Sequence, residues 1–304
     1  MKFAVFQISR KGGRADNQDR MGYCYNRDAA LFAVADGMGG HPEGQVAAQI
    51  ALQAVSSLFQ QRANSRFTDP NRFLKDALES AHREILAYAS AKQMPEGPRT
   101  TLVAALIVDG YVSWIHCGDS RLYLARDGLL LGRTRDHSYA EQPELVRPGT
   151  EHLVNRNVLF TCLGSPSDPI FTLSEPVRLR VGDKLLLCSD GLWSTVSDQD
   201  IVYELWRQPV SQAAPELVEQ ALRTGGAHCD NVTVLAVAWE DDIMSGNGDS
   251  SILTDSIGDD VFASTIAADA LDEHEEFSLN SIEASIAAIN EAIRKSAANR
   301  NSSS

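Results

Sequence analysis

Residues 101–117 read TLVAALIVDGYVSWIHC, two apolar runs rich in β-branched residues that meet at Asp109-Gly110. An Asp-Gly pair tolerates positive φ angles, so it predicts a tight hairpin turn between two strands. The same pair recurs at Asp127-Gly128, again between strand-like runs. Two hairpins of this kind predict a largely antiparallel sheet and argue against an all-parallel, doubly wound fold.

Further strands and four helices are predicted around these hairpins. The second helix is expected to begin at Asp69-Pro70, because aspartate caps helices and proline favours their first position. Helical pairs on either side of the strand runs indicate an α+β sandwich, in which stacked sheets are covered by helices. The predicted strands include residues 3–8, 31–35, 184–188 and 232–239, and the helices are 43–61, 70–91, 198–208 and 212–224.

The composition is that of an ordinary globular protein, with 43% hydrophobic and 22% charged residues among 304. A net charge of −14 argues against non-specific binding to nucleic acid or anionic membranes. From Asp241 onward there are 13 acidic and 3 basic residues, so the tail carries about −10 and the remainder about −4. Five cysteines without a CxxC pair, and no signal peptide or membrane-spanning run, predict a reduced, cytoplasmic protein.

Three short runs place an aspartate beside small residues at the end of a predicted strand. Carboxylates that converge there would repel one another, and hard divalent cations relieve that repulsion by binding oxygen ligands. The sequence therefore predicts one metal site. Turns or helix caps are the structural alternative for each aspartate, and thiolate ligation by nearby cysteines is the alternative metal chemistry. The runs are Asp36-Gly37-Met38-Gly39-Gly40-His41, Ser189-Asp190-Gly191 and Cys229-Asp230-Asn231, and the cysteines are Cys117, Cys188 and Cys229.

Five short motifs follow one another along the chain: Arg14-Ala15-Asp16-Asn17-Gln18-Asp19, Asp36 to His41, Gly118-Asp119-Ser120-Arg121, Ser189-Asp190-Gly191-Leu192-Trp193 and Asp230-Asn231. In this order they resemble the motifs of the metal-dependent PP2C (PPM) serine/threonine phosphatases of bacteria. Each motif alone is weakly specific, whereas the ordered set is specific and spans about residues 3–239. The resemblance implies a four-layer α-β-β-α sandwich, with two mainly antiparallel central sheets flanked by helices.

The resemblance implies a site that holds two Mn²⁺ or Mg²⁺ ions. Asp36 would bridge the ions and Gly37 would offer its carbonyl oxygen, while Asp190 and Asp230 would complete the protein ligands of one ion. A water molecule that bridges the metals would attack phosphorus, because the cations lower its pKa. Asp119, together with Asp190, would hold a third and weaker ion.

Other residues have implied roles around the metals. Arg14 would grip two phosphate oxygens with its planar guanidinium group. His41 would act as the general acid that protonates the leaving seryl or threonyl oxygen. Asn231 would orient Asp230. The structural alternatives are a surface arginine at position 14, a helix-start histidine at position 41, and a turn or an arginine pair for Asp119.

Gln18-Asp19 departs from the Glu-Asp pair of many relatives, whose glutamate faces the second metal through water. Gln18 keeps an oxygen acceptor but loses a charge, so we predict a raised requirement for Mn²⁺ or Mg²⁺. Asp19 would be the ligand that compensates.

The predicted phosphatase domain covers residues 1–240, with a flap-like excursion at about 136–157 whose entry, Asp136-His137-Ser138, resembles that of the family. Residues 241–278 are predicted to be an acidic linker and residues 279–298 an amphipathic helix. That helix either packs on its own domain or serves docking or self-association.

The sequence thus predicts a protein-serine/threonine phosphatase, a phosphoric monoester hydrolase that opposes bacterial serine/threonine kinases in signalling. The predicted partners are phosphorylated proteins, a kinase with its targets, and a partner for the terminal helix. The alternative is a pseudophosphatase, a phosphoprotein-binding scaffold, which the retention of Asp36, Asp190 and Asp230 disfavours. A third hypothesis is a phosphatase whose acidic tail docks it to a complex or shields the basic surface around Arg14.

Overall fold

The computed structural model describes residues 1–39, 43–62, 67–142, 144, 158–240, 253–255 and 264–265, the last two ranges as backbone only. His41, most of the predicted flap, nearly all of the predicted acidic linker and the predicted terminal helix lie outside these residues. In the part of the chain that is described, no helix is long and apolar enough to cross a membrane.

The first sheet contains β1 (Phe3–Arg10), β6 (Arg121–Arg126), β7 (Leu129–Arg133), β10 (Lys184–Cys188), β11 (Val232–Trp239) and β12 (Leu253–Asp255). Their order across the sheet is β12-β1-β11-β10-β6-β7. Neighbouring strands are antiparallel except for β12, which runs parallel to β1.

The second sheet contains β2 (Arg20–Tyr25), β3 (Ala29–Ala35), β4 (Leu102–Val108), β5 (Tyr111–Cys117), β8 (Thr172–Leu173), β9 (Val177–Arg178) and β13 (Ser264–Thr265). Their order is β13-β2-β3-β4-β5-β8, and β9 also pairs with β5. The two short strands β12 and β13 both come from the segment that follows residue 240.

The two predicted hairpins are confirmed. Asp109 and Gly110 have φ angles of 50° and 75°, and Asp127 and Gly128 have φ angles of 50° and 77°. Both residues of each pair therefore occupy the left-handed region, which matches a two-residue turn to the twist of its strands. The result is the antiparallel pairing of β4 with β5 and of β6 with β7.

Five α-helices are described: α1 (Gly44–Arg62), α2 (Pro70–Ala91), α3 (Asp190–Trp193), α4 (Asp198–Arg207) and α5 (Val210–Gly225). The predicted cap of α2 is confirmed, since the Asp69 carboxylate accepts a hydrogen bond of 2.9 Å from the backbone N–H of Arg72. The sequence did not reveal α3, because it is only four residues long. It also missed β2, whose run is interrupted by Gly22 and begins with an arginine.

The α+β sandwich of four layers is confirmed. Helices α1 and α2 cover the second sheet, and α4 and α5 cover the first. The two sheets bury a shared apolar core between them, which includes Phe3, Phe32, Leu187, Val237 and Trp239. The packed sheets fix the strand ends, and the loops that carry the acidic motifs are therefore anchored on a rigid frame.

Candidate functional site

The acidic motifs of the second sheet meet at the ends of two neighbouring strands. Asp36 directly follows β3, and Asp19 directly precedes β2. Arg20 is paired with Ala35 in the ladder, so the two carboxyl groups lie side by side.

The acidic motifs of the first sheet gather in the same way. Asp190 begins α3 two residues after β10, Asp119 lies between β5 and β6, and Asp230 lies two residues before β11. Because Cys188 pairs with both Arg121 and Val234, the ends of these three strands are adjacent. Positions almost 200 residues apart thus contribute to one cluster, as the sequence predicts.

Burial and mutual repulsion perturb this five-aspartate cluster strongly. Burial is the largest cause that raises the pKa of Asp36 well above its ordinary value, followed by the negative charges of Asp19, Asp190, Asp119 and Asp230. Burial, with smaller contributions from neighbouring aspartates, also raises the pKa of Asp19 to about 7, of Asp119 to about 8 and of Asp190 to about 6. A bound cation would offset the repulsion between these carboxylates and favour their charged forms.

Asp19 is the most deeply buried member of the cluster, with 1% of its surface exposed. The Ser189 hydroxyl donates a hydrogen bond of 2.7 Å to its Oδ2 atom, whereas Oδ1 has no hydrogen-bond partner. A buried carboxylate oxygen without a partner costs free energy unless another group satisfies it.

Arg14 lies at the exposed rim of the cluster and pairs with Asp230 rather than standing free. Its Nη2 atom donates to Asp230 Oδ2 at 2.5 Å, and the side chains are 58% and 35% exposed. That hydrogen bond, and then the charge of Asp230, raise the pKa of Arg14. In this arrangement the guanidinium group supplies the positive charge nearest to that carboxylate.

Asn231 fastens the loop that carries Arg14. Its side-chain amide donates to the carbonyls of Lys11 and Asp16 at 2.9 and 3.0 Å, and its Oδ1 accepts from the Gln18 N–H at 2.8 Å. Its contact with Asp230 is made by the backbone N–H, which donates to Oδ1 at 2.8 Å. The Asn231 side chain therefore holds the backbone of the Arg14 loop, and the Asn231 backbone N–H holds the Asp230 carboxylate.

The start of β4 holds the Asp36 backbone in place. The Asp36 carbonyl accepts from the Thr101 N–H at 2.9 Å and from the Thr100 hydroxyl at 2.8 Å. A Cβ atom on Gly37 would lie 2.5 Å from the backbone of Gly44 and 2.8 Å from the Gln18 carbonyl. Glycine at position 37 is thus required by close backbone approach.

A known protein family matches the part of the chain that carries most of these aspartates. The family model described as "Protein phosphatase 2C" matches residues 9–224, which include all but the last of the acidic motifs. This chain belongs to the protein phosphatase 2C family.

Relatives support that membership. The serine/threonine protein phosphatase PstP of Mycobacterium tuberculosis is 36% identical over 227 residues, which are 73% of this chain and 42% of that protein. This chain therefore spans less than half the length of that relative. The serine/threonine phosphatase stp of Listeria monocytogenes is 33% identical over 257 residues, 82% of this chain and 99% of that protein.

Solved structures share the fold. The M. tuberculosis PstP/Ppp phosphatase superposes with a TM-score of 0.65 at 33% identity, covering 79% of this chain and 100% of that one. The catalytic domain of PstP in complex with two manganese ions has a TM-score of 0.63 at 34% identity, covering 79% of this chain and 99% of that one.

The side chains of the five-aspartate cluster are of the kind that bind divalent cations, although they are not yet oriented to coordinate one. The donor set is rich in carboxylate oxygens, and Asp19 Oδ1 is buried without a partner. Among the described residues, however, no three His, Cys, Asp or Glu side chains are arranged to hold an ion as they stand. Arg14 occupies one Asp230 oxygen, so Asp230 would have to release that contact in order to share an ion with the other aspartates.

The cysteines near the cluster are poor thiolate candidates. All five cysteines are buried and free. Burial raises the pKa of Cys117 to about 12 and also raises the pKa values of Cys188 and Cys229. This environment favours the neutral thiol, so oxygen ligation remains the better interpretation of the site.

Sequence reasoning missed several residues that shape the site. Ser189 donates to the Asp19 carboxylate, and Thr100 and Thr101 donate to the Asp36 carbonyl. The two threonines lie outside all five motifs, so no sequence signal pointed to them. Trp193 donates from Nε1 to the Asp119 carbonyl at 2.9 Å. Arg121 does not form a salt bridge with Asp119; its hydrogen-bonded partners include Asp136.

Proposed function

We propose that this PP2C-family chain is a metal-dependent phosphatase that hydrolyses phosphoserine and phosphothreonine in proteins. The observation that carries the proposal is the five-aspartate cluster, crowded and largely buried, with Arg14 at its exposed rim. A phosphoprotein-binding scaffold has no need for so many repelling carboxylates, each of which raises the electrostatic cost of the fold. The relatives named as serine/threonine phosphatases support the same reading.

Asp36, Asp190 and Asp230 are the proposed direct ligands of two Mn²⁺ or Mg²⁺ ions, with the carbonyl of Gly37. Asp19 and Gln18 would contribute to the second site, Gln18 through water, and Asp119 with Asp190 would hold a third ion. When bound, divalent cations stabilise charge on the phosphoryl oxygens and lower the pKa of an attacking water molecule.

Arg14 is the proposed phosphate anchor. It is more than half exposed and lies against the cluster, so a phosphate that approaches the aspartates can accept two hydrogen bonds from its guanidinium group. His41, beyond the described residues, is the proposed proton donor to the leaving serine or threonine oxygen.

The proposed substrates are phosphoproteins, including a bacterial serine/threonine kinase and its targets, in a cytoplasmic signalling role. Five free cysteines support a reducing compartment. We keep residues 1–240 as the proposed catalytic domain, because they contain all the acidic motifs and every described strand except the short β12 and β13. The terminal segment remains a proposed docking or shielding element, which deletion of residues 241–304 tests by turnover and partner binding.

Hydrolysis of a phosphothreonine peptide by the full chain tests the proposed function. After removal of metal with EDTA, turnover should vanish, and it should return when Mn²⁺ or Mg²⁺ is added. Asp36→Asn should stay inactive at saturating metal, whereas Asp28→Asn, which changes an exposed aspartate in a turn, should match wild type. Turnover that persists in EDTA would overturn the metal mechanism. Phosphopeptide binding without turnover would favour the scaffold.

A further inference from the structure

The loop that carries Asp119 is held in place by residues that do not belong to the five-aspartate cluster. Arg121, Asp136, His137 and Trp193 contact this loop or its flanks, and we call these four residues the Asp119 clamp. Two of them stand in the Asp136-His137-Ser138 run, to which the proposed mechanism assigns no role. The clamp contacts Gly118, which precedes Asp119, and the backbone carbonyl of Asp119 itself.

Trp193 joins the Asp119 loop to the helix that begins with Asp190. Its indole N–H donates a hydrogen bond of 2.9 Å to the carbonyl oxygen of Asp119. Trp193 is the last residue of α3, and Asp190 is the first. One turn of helix and one hydrogen bond therefore fix the separation of these two aspartates.

Arg121 supports the Trp193 ring from the other side. Its guanidinium carbon lies 3.7 Å from the centre of the ring. The same guanidinium group forms two hydrogen bonds of 2.8 Å with the two oxygens of Asp136, and the side chains of this pair are 9% and 4% exposed. Such a bidentate and buried pair has little freedom to move, so it holds the ring in one orientation.

His137 grips the residue before Asp119. Its backbone N–H donates to the Gly118 carbonyl at 3.0 Å, and its Nδ1 atom accepts from the Gly118 N–H at 3.2 Å. Gly118 has a φ angle of +103°, and a Cβ atom there would lie 2.7 Å from the Thr101 side chain. The Asp119 loop thus depends on a backbone conformation that the clamp and Thr101 together enforce.

We propose that Trp193 is a positioning residue that sets the affinity of the metal site formed by Asp119 and Asp190. The inference rests on the proposed function and deepens it. Affinity for a divalent cation depends on ligands that are already at the correct separation, and loss of an outer residue that orients a ligand lowers metal affinity. Trp193 has this place in the structure because it contacts the main chain of one proposed ligand and shares a helix with the other.

The decisive variant is Trp193→Phe, which keeps an aromatic ring near Arg121 but removes the indole N–H donor together with part of the ring system. The matched control is Trp206→Phe, because Trp206 is 59% exposed on α4. Binding of Mn²⁺ to the metal-free full chain, measured by calorimetry and by the electron paramagnetic resonance of free Mn²⁺, gives the number and affinity of the sites. We expect Trp193→Phe to weaken the weakest site about fivefold, the loss expected for one hydrogen bond. The tighter sites and the control should match wild type, and the metal-free melting temperature should fall only by the few degrees that one hydrogen bond and a smaller ring account for.

A double-mutant cycle separates positioning from general packing. If Trp193 acts through Asp119, Trp193→Phe should have no further effect on Mn²⁺ binding in an Asp119→Asn background. Unchanged Mn²⁺ affinity in Trp193→Phe, or a loss that persists beside Asp119→Asn, would overturn the positioning role. Wild type with two sites and no weaker third would also overturn it, yet leave the phosphatase proposal standing. Wild type that binds no Mn²⁺ would overturn both.

Discussion

Two largely buried clusters of charged side chains lie within a few residues of each other in this protein. They differ in whether each carboxylate has a basic partner. In the five-aspartate cluster, carboxylates face carboxylates, and Arg14 reaches only Asp230 at the rim. In the neighbouring cluster, Arg121 forms a bidentate pair with Asp136, and Asp198 accepts from Tyr123 at 2.8 Å and lies 3.2 Å from Arg133.

The difference in charge pairing distinguishes a ligand-binding cluster from a cluster that only stabilises the fold. Buried aspartates with arginine partners need no ligand, because the protein supplies the opposite charge itself. Buried aspartates that repel one another add an electrostatic cost, which a ligand can remove. A buried aspartate alone therefore does not indicate function. The distinguishing feature of the five-aspartate cluster is that, among the described residues, the basic side chains do not balance its carboxylates.

The largest expected effect comes from Asp36→Asn, because it should change activity and stability in opposite directions. Activity at saturating Mn²⁺ should fall about a thousandfold or more, since several kcal/mol of transition-state stabilisation depend on the metals. The metal-free protein should become more stable by about 1 kcal/mol, because asparagine has no charged form for burial and the neighbouring aspartates to disfavour. Urea unfolding in EDTA measures the second effect, and a loss of stability would contradict the repulsion.

Asp136→Asn should have the opposite stability effect in the neighbouring cluster. It leaves the Arg121 guanidinium group buried without its bidentate partner, which typically costs about 3–5 kcal/mol. Urea unfolding in EDTA again provides the measurement, with Asp28→Asn as the exposed control. If Asp136→Asn lowered the free energy of unfolding no more than Asp28→Asn does, the Arg121–Asp136 pair would not stabilise the fold.

Arg14→Gln should separate phosphate binding from metal binding. Loss of a charge-assisted, two-pronged contact with phosphate should lower kcat/KM about 10- to 100-fold. Mn²⁺ affinity should stay equal or increase, because Arg14 no longer competes for the Asp230 oxygen. Initial rates and Mn²⁺ titrations of the same preparation test both statements, and weaker Mn²⁺ binding would contradict the second. Lys11→Gln is a suitable control, since Lys11 is exposed on the same loop.

Gln18→Glu should produce the smallest change. Gln18 is half-buried, and a Cβ atom on Gly39 would lie 3.1 Å from its side-chain oxygen, so it borders the loop after Asp36. An added carboxylate should lower the Mn²⁺ concentration for half-maximal activity about two- to fivefold, with little change in kcat. An unchanged metal requirement would show that the glutamine does not weaken the site.

The sequence predicts most of the fold because its signals are local. Asp-Gly turns, the Asp69 cap and apolar periodicity each involve neighbouring residues, and the corresponding elements are confirmed. The acidic motifs could likewise be recognised in order. Partner choice could not be predicted, because Arg14 meets a carboxylate 216 positions away, and Arg121 selects Asp136 rather than its neighbour Asp119. Only packing decides which of several aspartates an arginine reaches.

The pairing of β1 with β11 also has a consequence for synthesis of the chain. Every residue from Phe3 to Arg10 is in register with one from Val232 to Trp239, and the Arg14 loop is fastened by Asn231. Strand β1 is synthesised long before β11, so it must wait for this partner. A chain that lacks residues 230–239 has neither Asp230 nor the strand that joins β1 to β10, so the proposed metal site can be complete only after these residues have emerged.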